Sequence, residues 1–320
     1  MRSTILRRLA TSIPTILIST MLIFALRFLL PGGPVQAMLG GGAEGEITDE
    51  QIAAMEKRFG LDSSIPVQYW HWLTHVVQGD LGTSYYSQQP VTTVLGQRIL
   101  PSLELIVGAL LVSILVGTAL GIVAAVRRDR PTGRVVRLAT GFGLAVPDFW
   151  LGAVAAGTLG LALGIFPAVG FTPISESLGD NLYTLTLPVL VLAVVTASFL
   201  ARHISSAMAT ALDSPYIRTA WAMGLPSRTI YLNCALRNAL GPVITFIPLA
   251  FAGLVGGTVL VETIFAIPGL GTEIMRSVTS QDYPVVQGIV LLVGVLVAVL
   301  NLLADILLAF IDPRIRRATA

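Results

Sequence analysis

The chain has 320 residues, of which 54% are hydrophobic and only 12% carry a charge. An ordinary soluble domain is about 25% charged, so a soluble protein of this composition would expose more apolar surface than it could bury. The single cysteine, Cys234, excludes an internal disulfide and a metal site built on paired cysteines. Composition therefore indicates an integral membrane protein.

Six segments are long and apolar enough to cross a bilayer, which takes a helix of about 20 residues. They are 9–30, 99–126, 135–165, 185–206, 241–261 and 285–310. The third contains Pro147, where we expect a kink or a break. The first starts with basic residues, as a signal peptide does, but its apolar stretch exceeds the roughly 7–15 residues typical of one. We interpret it as a retained helix and predict an all-α, six-span protein.

The positive charges concentrate in alternate connecting segments. Arginines cluster near the N-terminus, at 127–137, at 202–237 and at 314–317, whereas most acidic residues fall in the other set of loops. Cytoplasmic loops of membrane proteins carry an excess of Lys and Arg. This distribution predicts that both termini, and the loop after the fourth span, are cytoplasmic.

Three regions follow from this topology. Residues 1–30 hold the N-terminal segment and the first span, 31–95 form an extracytoplasmic region of amphipathic helices, and 96–320 form a five-helix membrane core. In the second region, a capping-box pattern from Thr48 predicts one helix that stops at Gly60. A second helix is predicted over 66–78, where aromatic residues suit a membrane interface. A structural lid and a contact surface for a soluble partner are equally open interpretations.

The cytoplasmic loop at about 207–238 carries a short helix. Asp213-Ser214-Pro215 predicts its start, with a polar N-cap ahead of a proline, and Gly224 and Pro226 end it. Eight or nine residues reach only about 13 Å, too short to span a membrane. Ala220 and Gly224 stand four residues apart, so this face could receive another protein closely. The alternative is a loop helix that packs only on its own bundle.

Several stretches resemble the dipeptide/oligopeptide/nickel permease family of ABC importers, and in particular the first of its two paired permeases. The stretch 213–225, with 235–240, is similar to the EAA loop of that family. The other matching stretches are 79–82, 261–271, 281–284 and 312–316. They occur in order along essentially the whole chain, which makes the resemblance specific. Met223, Cys234 and Gly33 stand where the family usually has lysine, histidine and aspartate.

The resemblance implies a type I ABC importer permease fold and a division of labour. The chain would pair with a second homologous permease, two cytoplasmic ATP-binding subunits would dock on the EAA loops, and an extracytoplasmic substrate-binding protein would deliver cargo. The helix at 216–224 would be the coupling helix, which converts ATPase closure into movement of the spans around a central cavity. Lipid is the remaining expected contact, and no nucleic acid is expected.

The same resemblance implies two sets of functional residues. The residues expected to couple to the ATPase are Asp213, Tyr216, Arg218, Thr219, Ala220, Ala222, Gly224, Leu225, Arg237 and Asn238. The residues expected to gate the path from outside, or to contact the binding protein, are Glu262, Phe265, Pro268, Gly269, Gly271, Asp282 and Tyr283.

The chain is not expected to catalyse a reaction. A P-loop needs a lysine after its glycine, and the only lysine, Lys57, follows Glu56. ATP and Mg²⁺ would therefore be bound by partner subunits, and no catalytic, cofactor or metal residues are expected in this chain. His71 and His75 lie four residues apart, but two ligands alone do not make a metal site.

Two other functional classes compete with this interpretation. An ion-coupled secondary transporter or channel would carry a relay of intramembrane acids or an inverted repeat, and a membrane protease would need a Ser/His or HExxH arrangement. Neither pattern is evident, although Glu104 and Asp148 are ionisable groups near or inside the membrane. We predict a peptide permease of a prokaryotic inner membrane; nickel chelates, glutathione, haem and opines stay open as cargo.

Overall fold

The chain folds into a bundle of helices. The computed structural model describes residues 63–311 and, ahead of them, 13–14, 17–22 and 24–25. The helices from residue 63 onward, numbered in chain order, are α1 (Ile65–Val77), α2 (Val91–Val126), α3 (Pro131–Ala145), α4 (Asp148–Ala155), α5 (Leu178–Leu212), α6 (Pro215–Ala222), α7 (Arg237–Phe265), α8 (Leu270–Thr279) and α9 (Tyr283–Ile311). A π-helical turn, Ala156–Ala162, extends α4, and Ser227–Thr229 with a π-helical Ile230–Leu236 lead into α7.

Four helices, α2, α5, α7 and α9, are long and apolar enough to cross a membrane, and α3 with α4 make a fifth candidate if the pair counts as one span. The four predicted spans that correspond to them are confirmed, with longer bounds. The predicted total of six is not reached in the described residues, because most of the first span, 9–30, lies outside them. The helix predicted from Thr48 also lies outside the described residues, whereas the one predicted over 66–78 is α1.

The third predicted span is broken where the sequence places Pro147. The axes of α3 and α4 differ by 98°. Proline cannot donate a backbone hydrogen bond, and it disfavours helical geometry in the residue before it. Val146 accordingly adopts extended backbone angles of −89° and 125°. The expected interruption is therefore confirmed, as a sharp break between two helices.

Close packing of α2 against α5 organises the bundle. Gly117 and Gly121 on α2 lie directly against the backbone of α5. A Cβ on Gly117 would lie 2.8 Å from the carbonyl oxygen of Ala197, and a Cβ on Gly121 would lie 2.9 Å from the carbonyl oxygen of Ala201. Small residues at such positions let two membrane helices approach closely. In a lipid environment the hydrophobic effect does not drive helices together, so the dispersion energy gained by this close contact is what stabilises the pair.

The bundle has two functional ends. We call the end that carries α6 the α6 end; α2 and α5 both run towards it, and α7 runs away from it. The opposite end, which carries α8, is the α8 end. There Val91, Leu95, Leu270 and Val285 form a buried apolar cluster, with Leu81 packed against it. Residues 81–95, which the sequence grouped with an outer region, thus pack on α8 and α9.

The α2–α5 contact gives opposite expectations for two glycines of one helix. Gly117→Ala forces the helices apart, and overpacking of this kind costs about 1–3 kcal/mol. Gly96→Ala on α2 meets nothing within 4 Å and gains about 1 kcal/mol of helix propensity. We expect the thermal unfolding midpoint of the purified protein in detergent to fall for the first variant and to hold or rise for the second. Equal midpoints for the two variants would contradict the packing described here.

Candidate functional site

The short helix α6 follows α5 after a tight turn. Pro215 occupies its first turn, where a missing N–H costs nothing. The helix ends at Ala222, with Met223 as its C-cap, and Gly224 then adopts the left-handed conformation, with φ of 74°. The predicted bounds are confirmed to within one residue, and the polar Ser214 occupies the N-cap as predicted, but its side chain makes no capping bond. The hydroxyl of Ser214 donates to the Ala211 carbonyl, so it caps no N–H of α6.

Asp213 pairs with the segment that follows α2. Its Oδ2 accepts a hydrogen bond of 2.9 Å from Nη1 of Arg128. This bond holds the pKa of Asp213 below its usual range and raises the pKa of Arg128. Because the lowered pKa belongs to the carboxylate, the pair persists at neutral pH and is lost only on acidification. Both side chains are exposed, so the pair positions the start of α6 more than it stabilises the fold.

The inner face of α6 packs on its own chain. Ile217 and Ala220 are buried against Ile230, with Leu225 and Cys234 packed around them. The expectation that Ala220 forms a small face open to another protein is therefore wrong, since Ala220 is only 5% exposed. Gly224 does lie in open space.

The outer face of α6 is exposed in the described part of the chain. Trp221 is 44% exposed and Met223 is 68% exposed, and Tyr216 is similarly open. The remaining predicted coupling residues on this face, Arg218, Thr219 and Ala222, are also exposed. A helix of eight residues thus presents large side chains on one side while the other side is fixed to the bundle.

The two stretches that resemble the EAA loop meet in space. Asn238 Nδ2 donates a hydrogen bond of 2.7 Å to the Tyr216 hydroxyl and another to the Cys234 carbonyl. Trp221 stands edge-on to Tyr231, with ring centroids 6.2 Å apart. These contacts link α6 to the start of α7, beside the exposed Arg237. The ten predicted coupling residues are therefore gathered at the α6 end.

A buried carboxylate organises the α8 end. Glu262, near the end of α7, is 0% exposed. Its Oε1 accepts from the Ser102 hydroxyl at 2.6 Å, and its Oε2 accepts from the Thr272 backbone N–H at 2.9 Å. Ser102 in turn accepts from the Leu270 N–H at 2.7 Å. One carboxylate thereby ties α2, α7 and the first turn of α8 together.

The glycines of this segment make room for that carboxylate. A Cβ on Gly269 would overlap the Glu262 side chain, and one on Gly271 would lie 2.8 Å from its Oε2. Phe265, at the end of α7, is also fully buried, whereas Pro268 is half-buried.

A second carboxylate, Asp282, anchors the loop that precedes α2. It accepts hydrogen bonds from the Ser84 hydroxyl and from the backbone N–H groups of Tyr85 and Tyr86. Asp282 and its neighbour Tyr283 are buried. The stretches 79–82 and 281–284, which resemble the same family, therefore lie side by side at the α8 end.

Burial changes the interpretation of the predicted gating residues. Six of the seven are buried, so direct contact between these side chains and another protein does not fit this structure; they hold the segment in shape instead. The exposed surface of α8 consists of Met275, Arg276, Val278 and Thr279. Beside it lies a polar pocket of about 190 Å³, in which Arg98 Nε is 3.2 Å from Glu273 Oε2. Arg276 also covers the Tyr86 ring, at 4.6 Å from its centroid.

Two ionisable groups of the spans differ in their surroundings. Glu104 Oε2 accepts a hydrogen bond of 2.8 Å from Asn181, which is itself buried, whereas Glu104 Oε1 is buried without a partner among the described residues. Asp148 Oδ1 is buried without a hydrogen-bond partner among the described residues. His75 Nδ1 lies 2.7 Å from the His71 carbonyl oxygen one turn earlier, so that nitrogen is engaged locally.

Sequence reasoning missed Ser102, Ser84 and Arg128. The two serines act on carboxylates 160 and 198 residues away along the chain, and no local pattern signals such a contact. Arg128 entered the sequence argument only as one of many basic residues.

The geometry defines a helical membrane protein. At one end the short helix α6 packs on the bundle with one face and exposes the other, and at the opposite end buried carboxylates hold the α8 segment in place. Residues 117–317 match the family described as "Binding-protein-dependent transport system inner membrane component", and residues 1–105 match the N-terminal component of the same kind of system. The chain belongs to this family of permeases.

Two named relatives and a solved structure indicate which kind of transport permease this chain resembles. The chain is 39% identical over 312 residues to the glutathione transport system permease protein GsiC of Salmonella choleraesuis (strain SC-B67), with 98% of each chain covered. It is 38% identical over 318 residues to a protein of Brucella abortus (strain 2308) that is named as a peptide transport system permease, with 99% of each covered.

The MetNI methionine ABC transporter, in an inward-facing conformation, matches with a TM-score of 0.55 at 17% identity, covering 69% of this chain and 97% of that one. At that identity the likeness shows the fold alone. Together with the two relatives, it confirms the resemblance: the chain is an ABC importer permease subunit of the peptide/oligopeptide family of bacterial inner membranes.

The Glu262 network predicts unequal costs for two serines of α2. Ser102→Ala removes the hydrogen-bond partner of Glu262 Oε1 and of the Leu270 N–H. Each buried group left without a partner lowers the free energy of unfolding by about 1–3 kcal/mol. Ser113→Ala, also buried, removes only a bond of 3.2 Å to the Ala193 carbonyl. We expect Ser102→Ala to lower the thermal unfolding midpoint in detergent clearly more than Ser113→Ala does. Matching midpoints would show that the network contributes little.

Proposed function

We propose that this chain is one of two permease subunits of an importer that carries peptides, glutathione among them, and that α6 couples it to a cytoplasmic ATPase. The observation that carries the proposal is the one-sided packing of α6. A second permease, two ATP-binding subunits and an extracytoplasmic substrate-binding protein complete the assembly. The chain itself supplies the path; ATP and Mg²⁺ are bound by the ATP-binding subunits.

Mechanical coupling requires that α6 be fixed to its own bundle. Three contacts supply this: the buried Ile217 and Ala220, the bond from Asn238 to Tyr216, and the pair of Arg128 with Asp213. They reach the start of α7 and the end of α2. A push on α6 is therefore transmitted to both long helices rather than absorbed by a flexible loop.

Coupling also requires a free face. Large exposed side chains near a tight turn are typical of a protein contact surface. The exposed Trp221 and Met223 lie where an ATPase groove would meet the permease, and aromatic residues and methionine are enriched in the cores of such interfaces. A cytoplasmic position for this loop agrees with its excess of arginines.

The α8 end is proposed as the outer gate. Glu262 and Asp282 fix the segment between α7 and α9, so opening it would break several hydrogen bonds at once. A binding protein would engage the exposed side of α8, where Arg276 lies at the rim of the polar pocket. The proposal keeps the buried residues as parts of the gate, but it assigns contact with the binding protein to their exposed neighbours on α8.

The cargo follows from the named relatives. One relative is named for glutathione transport and another for peptide transport, and each is aligned with this chain over nearly its full length. Glutathione is itself a small peptide, so both names indicate one class of cargo.

Two glycines of similar geometry test the coupling role. Gly224 and Gly164 both have positive φ, of 74° and 61°, and both are exposed with nothing within 4 Å of a Cβ. Leucine at either position carries the same backbone strain, but only position 224 lies at the α6 end. We expect Gly224→Leu to lose ATPase co-purification and uptake of labelled peptide by at least tenfold, and Gly164→Leu to keep both.

Both variants are assayed in the full complex, after confirming equal amounts in the membrane. Unchanged uptake and ATPase retention in Gly224→Leu would overturn the coupling role of α6.

A further inference from the structure

One carboxylate inside the bundle has no assigned role. Asp148 is the first residue of α4, directly after the break at Pro147. Its Oδ2 and the Leu192 side chain both lie within about 3.2 Å of where a Cβ on Gly257 would stand. Leu192 is 14 residues into α5, or about 21 Å from its start, in a helix about 52 Å long. Asp148 therefore lies at the middle depth of the bundle.

The charge of this group is not balanced within the described residues. Oδ1 is buried and accepts no hydrogen bond there, and none of the described ion pairs includes Asp148. The N-terminal end of α4 favours a negative charge, so the helix supports the ionised carboxylate without supplying a specific partner. An ionised group at membrane depth is expensive unless it pairs with a cation. A donor that carries positive charge would therefore stabilise the ionised form of this carboxylate.

The site is also reachable. Asp148 is only partly buried as a residue. Gly257 has no side chain to crowd this carboxylate, whereas a Cβ there would lie only 3.1 Å from Oδ2; Gly253, one turn earlier on the same helix, has nothing within 4 Å of a Cβ position and is exposed. A compact ammonium group with three N–H donors could approach a carboxylate along such a side-chain-free strip.

We propose that Asp148 receives the α-ammonium group of the transported peptide at the middle of the membrane. The inference rests on the proposed peptide cargo. Every peptide with a free N-terminus carries this group whatever its side chains are, so one carboxylate could guide a varied set of peptides. Glu104 is the contrasting acid, because Asn181 already binds one of its oxygens, Oε2, and only Oε1 lacks a described partner.

Uptake of a matched pair of peptides tests the proposal. The pair differs only in a free or an acetylated N-terminus, and both are offered first to the wild-type complex reconstituted in proteoliposomes with its binding protein. The binding protein is the same for every variant, so its own preference cancels when the ratio of the two uptake rates is compared between variants.

We expect Asp148→Asn to slow uptake of the free-amine peptide about tenfold relative to the acetylated one, the loss of one charge-assisted hydrogen bond. Asp148→Glu keeps the charge and should keep most of the preference. Glu104→Gln removes a different membrane carboxylate and should leave the ratio within about twofold of wild type, since this acid is given no part in recognising the amine.

Two results of the uptake experiment would contradict the proposal. If Asp148→Asn alters both peptides equally, the carboxylate is structural, and if it alters neither, the carboxylate has no role in transport; both outcomes overturn the proposal. Failure of the proposed function would instead appear as no uptake of either peptide by the wild-type complex.

A labelling experiment decides the matter if Asp148→Asn does not assemble or if the wild type carries no peptide. Asp148→Cys in a Cys234→Ser background should react with a cationic methanethiosulfonate reagent applied in water, and saturating free-amine peptide should slow that reaction at least threefold. Absence of reaction, or reaction that the peptide does not slow, overturns the proposal.

Discussion

Inside a bilayer a polar group must find its partner within the protein, because no water is available to it. That constraint accounts for most of the polar side chains buried in this bundle. Glu262 is bound by Ser102 and by the N–H of Thr272, Asp282 by the loop before α2, and Glu104 by Asn181. Apart from the bond between Thr272 and Glu262, these bonds join segments far apart in the chain, so pairing of polar groups also fixes the tertiary structure. Three buried side-chain atoms of the described residues lack a partner: Glu104 Oε1, Gln287 Nε2 and Asp148 Oδ1. Unlike Glu104, Asp148 accepts no hydrogen bond from another described residue at either oxygen, and this is the reason to assign it a ligand.

The two ends of the bundle are connected by rigid elements. Gly117 and Gly121 bring α2 against α5 in the half of the bundle nearer the α6 end, and both helices continue to that end. At the α8 end, Ser102 of α2 meets Glu262 of α7. A displacement of α6 can thus reach the Glu262 network through packed helices rather than through loops. In the proposed function, this path through packed helices would transmit movement of the ATPase at the α6 end to the gate at the α8 end.

Much of this architecture is predictable from the sequence, because apolar length, proline position and helix-ending glycines are local signals. The break at Pro147 and the bounds of α6 follow from such signals. The face of α6 that packs inward does not, because Ala220 is buried by Ile230, which comes from a later π-helical segment. The residues predicted to gate the path follow from resemblance alone, and the burial of Glu262 and Asp282 among them depends on Ser102 and on loop residues distant in sequence. Only the folded chain shows which residues hold the segment and which face outward.

The central claim is that the exposed side of α6 touches a separate ATPase. Met223 is the most direct probe, because it is exposed at the end of α6 and makes no described polar contact. A cysteine at position 223, in a chain whose Cys234 is replaced by serine, can be joined by a short bifunctional maleimide to cysteines introduced along the ATPase groove in the assembled complex. The account predicts a permease–ATPase product that shifts in yield between the nucleotide-free and ATP-bound states. No product in either state, or modification of that cysteine from the extracytoplasmic side, would contradict it.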